Sequence, residues 1–174
     1  MKPTPVKLIN KKTLFFSLLF TICLTVFNVG NVMANEPAPD FTFKGLDNSN
    51  IKISDFKGDV VYVDFWATWC PPCRKSFPWM DAMHQKYKDL GFKIIAVSLD
   101  TKREIIDDFV KKMAPHFTIA HDPSGDSASA FKVKGMPSSY LIDRKGNIYA
   151  SHAGFTDSDK PKLETAIKKL LSAE

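Results

Sequence analysis

Two cysteines, Cys70 and Cys73, stand in the run Trp69-Cys70-Pro71-Pro72-Cys73. At this spacing the sulfurs can join as a disulfide or part as a dithiol, and the loop they close is too short to brace a fold. The chemistry that suits them is exchange. A thiolate attacks a disulfide, a mixed disulfide forms, and the second thiol resolves it. Cys70 falls where a helix starts, and unpaired N–H groups and the helix dipole there favour an anion. Its pKa is therefore expected to be lowered. Pro71 and Pro72 fix φ and carry no N–H, so the first turn is stiff and the Cys73 amide is left to donate to the Cys70 sulfur.

The elements around the pair are legible from pattern. Val60 to Trp66 is apolar at nearly every position, as in a strand covered on both faces. The helix after the cysteines places Phe77, Met80, Met83 or His84, Tyr87 and Leu90 on one face, is bent by Pro78 and ends at Gly91. Lys93 to Leu99 completes a strand–helix–strand unit. Before it, Glu36 to Pro39 reads as a linker, and Phe41–Phe43 with Ile51–Ile53 as a hairpin, followed by a turn at Ser54 to Gly58. After it come a helix with Ile105, Ile106, Phe109, Val110 and Met113 inward, a strand at Phe117 to Ala120 and a short helix at Asp126 to Phe131. Ser138 to Ile142 then pairs antiparallel with Ile148 to Ser151. A last helix from about Asp159 to Leu171 has Ser158 as N-cap and Leu163, Ile167, Leu170 and Leu171 inward. The expectation is a three-layer α/β domain with a mixed sheet.

The 174 residues suit one domain. The net charge of +5 is misleading, because Lys2, Lys7, Lys11 and Lys12 all precede the first acidic residue, Glu36. Without them 20 cations face 19 anions, which gives no basic face for nucleic acid. The lysines, the apolar stretch Leu14 to Val29 and Val32-Met33-Ala34 read as an export signal over residues 1–34, with an uncleaved membrane anchor as the alternative. The domain would then be 35–174, outside the cytoplasm, with the periplasm as the expected compartment. Cys23 lies inside the signal, and Ile22 before it argues against a lipid attachment site. Export leaves Cys70 and Cys73 as a lone pair in an oxidising compartment, where their use is chemical.

The run Val63-Asp64-Phe65-Trp66-Ala67-Thr68-Trp69-Cys70-Pro71-Pro72-Cys73-Arg74, then Phe77-Pro78, then Gly135-Met136-Pro137-Ser138-Ser139-Tyr140-Leu141-Ile142-Asp143, resembles the thioredoxin superfamily. More closely it resembles the exported TlpA/ResA-like thiol–disulfide oxidoreductases of bacteria. The resemblance covers residues 35–174, including the leading hairpin and an added helix–strand segment between Thr101 and Ala120. It implies a thioredoxin-like fold, Cys70 as nucleophile, Cys73 as resolving thiol, and protein disulfides as substrates. It further implies a membrane electron donor and no cofactor beyond the two sulfurs. A monomer is expected.

The resemblance also assigns roles to other residues. Pro137 matches a proline that the family holds cis opposite the disulfide, which would leave the Met136 N–H and C=O open to a bound peptide. An ordinary trans proline at a strand start is the alternative. Asp64 stands where thioredoxin has an aspartate proposed to shuttle a proton for the second cysteine. TlpA/ResA-like relatives use instead a glutamate three residues after that cysteine, where this chain has Ser76. A structural, water-bonded Asp64 is the competing reading. Trp66 and Trp69 flank the pair, with Trp69 expected to be the more exposed. His84, His116, His121 and His152 are scattered and carry no expected chemistry.

A reductase of protein disulfides is the leading function. A DsbA-like oxidase is the first competitor, although such proteins usually carry a histidine between the cysteines and an inserted helical domain. A metal site from Cys70, Cys73, His116 and His121 is a weaker one, since the gap between the pairs is far longer than in a zinc finger. A peroxidase is also weak, because the residue two before Cys70 is Thr68 and the expected proline is missing.

Overall fold

The computed structural model describes residues 36–173. The signal expected over Met1 to Ala34, with Cys23 inside it, lies outside the described residues. Among the described residues no helix is long and apolar enough to cross a membrane. The elements in chain order are β1 (Glu36–Pro37), β2 (Thr42–Gly45), β3 (Asn50–Lys52), β4 (Val60–Trp66), α1 (Pro71–Tyr87) and β5 (Phe92–Ser98). There follow α2 (Arg103–Met113), β6 (Thr118–His121), α3 (Asp126–Ala130), β7 (Ser138–Ile142), β8 (Asn147–Ala153) and α4 (Lys160–Leu171). Single 3-10 turns span Ile53–Phe56 and Lys88–Leu90.

The strands make one sheet in the order β1-β8-β7-β4-β5-β6-β2-β3. β4, β5 and β6 run parallel, and β7, β8 and the β2–β3 hairpin are antiparallel to their neighbours. This is the expected mixed sheet. Every residue of β4 is buried, because both faces of this central strand are covered. Side chains alternate along it. Val60, Tyr62 and Trp66 join Cys70, Cys73, Phe77 and Met80 on one side, where Ile106 of α2 and Ile167 of α4 complete the core. Val61, Val63 and Phe65 face the other way, onto Phe43, Ile51 and Phe131. The hairpin is at the far end of the sheet order, so its contact with β4 requires the sheet to curl. Each large apolar side chain fully buried in these layers contributes about 1.5–3 kcal/mol.

Several boundaries differ from the sequence expectation. Glu36 to Pro39 is not wholly a linker, because Glu36 and Pro37 pair with Ile148 and Asn147 as an edge strand. Leu90 is 59% exposed: the chain tightens to 3-10 geometry after Tyr87, and the change of period turns Leu90 off the buried face. Gly91 does end this segment, in the left-handed conformation at φ 82°. In α2 only Ile106 is fully buried, with Phe109 and Val110 half-buried against the core, while Ile105 and Met113 are exposed. The helix touches the core along a narrower stripe than its apolar content suggests. Ser158 does not cap α4. Asp159 occupies the N-cap, and its carboxylate turns back to accept from the Thr156 N–H and hydroxyl at 2.8 and 2.7 Å.

At the sheet pole where β4 and β5 begin, Arg144 in the β7–β8 turn joins three stretches of chain. Its guanidinium donates to the carbonyls of Gly58, Leu90 and Leu171 at 2.5, 3.2 and 3.3 Å. The cysteines lie at the opposite pole, past the end of β4.

Candidate active site

β4 ends at Trp66, and the chain then crosses Ala67, Thr68 and Trp69 before α1 begins. This crossing is held by Asp100, a carboxylate only 2% exposed just beyond β5. Asp100 accepts from the Thr68 N–H at 2.8 Å, the Thr68 hydroxyl at 2.9 Å and the Ser98 hydroxyl at 2.8 Å. Sequence reading missed it, since a polar residue after a buried strand looks like any turn residue. Its only signal was Ser98-Leu99-Asp100 closing an otherwise apolar strand.

Cys70 is the N-cap of α1, and its sulfur accepts from the Cys73 amide at 3.3 Å, as expected from the two prolines that lack N–H groups. Pro71 and Pro72 occupy the first helical positions, Pro71 exposed and Pro72 half-buried. Cys70 and Cys73 are joined in a disulfide with Cα atoms 5.3 Å apart. Both are buried, Cys73 completely and Cys70 at 4% exposure, so the first sulfur is the one nearer solvent. Trp69 beside it is 67% exposed, whereas Trp66 is fully buried with its ring 4.5 Å from that of Phe77. The difference between the two tryptophans is as expected. Ser76, at the relatives' glutamate position, is buried and donates to the Cys73 carbonyl at 2.7 Å. A hydroxyl occupied in this way offers the sulfurs no charge.

The Met136–Pro137 peptide bond is cis. Pro137 is buried, and Met136 is half-buried against the cluster that contains both cysteines. The Pro137 carbonyl accepts from Gly154 N–H at 2.8 Å. Among the described residues the Met136 N–H and C=O have no main-chain partner. An exposed indole and an open peptide group thus lie on the segments that flank the disulfide.

Asp64 is 2% exposed, and by strand alternation it faces the side of Tyr62, Trp66 and Cys73. Its Oδ2 has no hydrogen-bond partner among the described residues. Burial pushes its carboxyl well above the usual carboxylate range, and no charge among the described residues opposes the shift. The histidines of the metal alternative are engaged elsewhere. His116 contacts the Asp81 carboxylate at 3.2 Å, and His121 Nε2 lies 2.7 Å from the Asp100 carbonyl.

Known proteins agree with this arrangement. Residues 33–167 match the redoxin family. Over 135 residues the chain is 36% identical to the thiol–disulfide oxidoreductase ResA of Bacillus thuringiensis subsp. konkukian, covering 78% of this chain and 77% of that protein. It is 29% identical to ResA of Bacillus subtilis over 150 residues, covering 80% and 84%. A crystal structure from Chlorobium tepidum, assigned as thiol:disulfide interchange protein DsbE, superposes with a TM-score of 0.77 at 46% identity, covering 79% of this chain and 97% of that one. A Cys-x-x-Cys disulfide capping a helix, a cis proline and a mixed sheet on these terms leave one assignment: the chain belongs to the redoxin family of the thioredoxin superfamily, as a ResA-like thiol–disulfide oxidoreductase.

Proposed function

We propose that the protein is exported to the periplasm through the segment 1–34 and there reduces disulfides in other proteins. The observation that carries this reading is the cysteine pair itself: a lone Cys70–Cys73 disulfide at a helix start, beside an exposed Trp69 and an open Met136 peptide group. In the reduced protein, Cys70 is held as a thiolate by the helix dipole and the Cys73 amide. It attacks the nearer sulfur of a client disulfide, and the other client sulfur leaves as a thiolate. The client lies extended, with its main chain paired to Met136 and its side chains against Trp69, Pro71, Pro72 and Pro137.

Cys73 then gives its proton to Asp64 and attacks Cys70. This releases the second client sulfur and leaves the Cys70–Cys73 disulfide, with two electrons passed to the client. A carboxyl whose pKa is raised by burial takes a thiol proton more readily than an ordinary carboxylate does. A membrane carrier then returns two electrons to the cysteines. The domain acts as a monomer in this cycle.

The Pro71-Pro72 spacer and the absence of an inserted helical domain among the described residues favour reduction over oxidation. Redox titration of the Cys70/Cys73 couple tests the direction. A midpoint near about −270 mV is expected, and one near about −120 mV would make the protein an oxidase. Cys73→Ala should trap clients on Cys70 as mixed disulfides, with Cys70→Ala trapping none. Equal yields from the two variants would refute the exchange reading.

A further inference from the structure

Asp64 needs a way to lose the proton it takes. No hydrogen-bond donor meets its Oδ2 among the described residues, and it lies on the sheet face that also bears Cys73 and Trp79 of α1. The sheet itself offers a route. Asp64 is in register with Ser139 of β7, and Ser139 with His152 of β8. Residues opposite one another in a sheet share a face, with Cβ atoms about 5 Å apart, so the three side chains form one row beneath α1 and α4. Ser139 is 4% exposed. His152 Nε2 is buried, makes no hydrogen bond, and lies 3.5 Å from Asp159 Oδ2 at the start of α4. The side chains of His152 and Asp159 are 30% and 19% exposed, so the row runs from the core to the surface.

The other groups along this row are few. From β5 the neighbour of Asp64 is Ala96, which is apolar. Tyr62, on β4, is buried beside Asp64, Ser139 and Asp159. Burial first, and then the Asp64 charge, keep its phenol protonated far above neutral pH, so it borders the row as a neutral hydroxyl. Trp79 and Phe155 close the space with apolar rings. At the surface near Asp159, Asp157 and Lys160 pair with each other at 2.5 Å.

We propose that Ser139 and His152, backed by Asp159, form the proton exit that connects the buried Asp64 carboxyl to solvent. This rests on the reading of Asp64 as the base for Cys73. Protonated Asp64 donates to the Ser139 oxygen, directly or through one water, and the serine passes its own proton to the His152 imidazole. The serine ends unchanged. The imidazolium beside the Asp159 carboxylate releases one proton to solvent, and Asp64 is again ionised. No electrons move along this path.

The test uses the full chain carrying thionitrobenzoate as a mixed disulfide on Cys70. It follows, in weakly buffered solution, release of thionitrobenzoate as Cys73 attacks and appearance of one proton in solvent by an indicator dye. In the parent the two signals should coincide. In Ser139→Ala and His152→Gln, thionitrobenzoate release should be unchanged and the solvent proton should appear about tenfold more slowly. Asp64→Asn should slow thionitrobenzoate release itself. If the solvent proton keeps pace with thionitrobenzoate in both variants, the proton leaves elsewhere and the exit is refuted while the base reading stands. Equal slowing of both signals in His152→Gln marks a packing role and also refutes the exit. If Asp64→Asn equals the parent, the base reading falls and the exit falls with it.

Discussion

Two buried carboxylates sit in opposite circumstances in this protein. Asp122, past the end of β6, is 7% exposed and fully occupied. Its oxygens accept from the Ser124 hydroxyl, the Gly125 N–H, the Ser127 N–H and the Ser127 hydroxyl. Burial alone would raise its pKa, but the hydrogen bonds from Ser127 and Ser124 outweigh burial and hold it below the usual carboxylate value. Asp64 is buried more deeply, at 2% exposure, has an oxygen with no donor, and is pushed the other way by burial. One carboxylate fastens a turn. The other is left basic at the face that bears Cys73. Burial raises the pKa of both, and the donors around Asp122 reverse the sign there.

The contrast has opposite signs in stability. For Asp122 the folded pKa is lowered, so its contribution is present above the unfolded value near about 4 and is lost as pH falls through the folded value. For Asp64 the folded pKa is raised, so stability is lost as pH rises from about 4 towards its folded value and stays lost above it.

The largest expected effect is therefore from Asp122→Ala, which strips four donors of their acceptor. It should lower stability at neutral pH by about 3 kcal/mol, measured by urea unfolding, and by much less in acid. A loss below about 1 kcal/mol at neutral pH would break the comparison on the Asp122 side. Next, Asp64→Asn should raise the Tm of the oxidised protein, by at least about 3 °C near neutral pH, with the gain shrinking towards pH about 4. A Tm difference independent of pH would show that Asp64 does not titrate abnormally. The smallest effect is Ser124→Ala, which removes one of the donors to Asp122. It should cost about 0.5–1 kcal/mol and leave disulfide exchange unchanged.

The legible parts of the site were those set by local rules. Proline leaves a helix start without donors, so the Cys73 amide bond to the Cys70 sulfur followed from Pro71 and Pro72 alone. Trp66 sits in an apolar strand and Trp69 after it, which fixed their relative exposure. The cis bond at Pro137 came through resemblance, because spacing alone did not separate cis from trans. What stayed hidden depends on long-range register. Asp100 reaches back across 32 residues to Thr68. His152 meets the row of Asp64 and Ser139 only because β7 lies between β4 and β8 in the sheet, and no periodicity within β8 announces this. Leu90 and Met113 were placed inward by helical period, but a 3-10 turn and a helix end moved them outward.

The Arg144 knot has a consequence for how such a domain can change. Three carbonyls from separate stretches of chain converge on one planar fork, whose two terminal nitrogens reach them from different sides, a spread that a lysine's single nitrogen does not match. This brace lies at the pole where β4 and β5 begin, while electron traffic belongs to the pole where β4 delivers the cysteines. Substitutions at Arg144 can therefore retune robustness without touching the sulfurs.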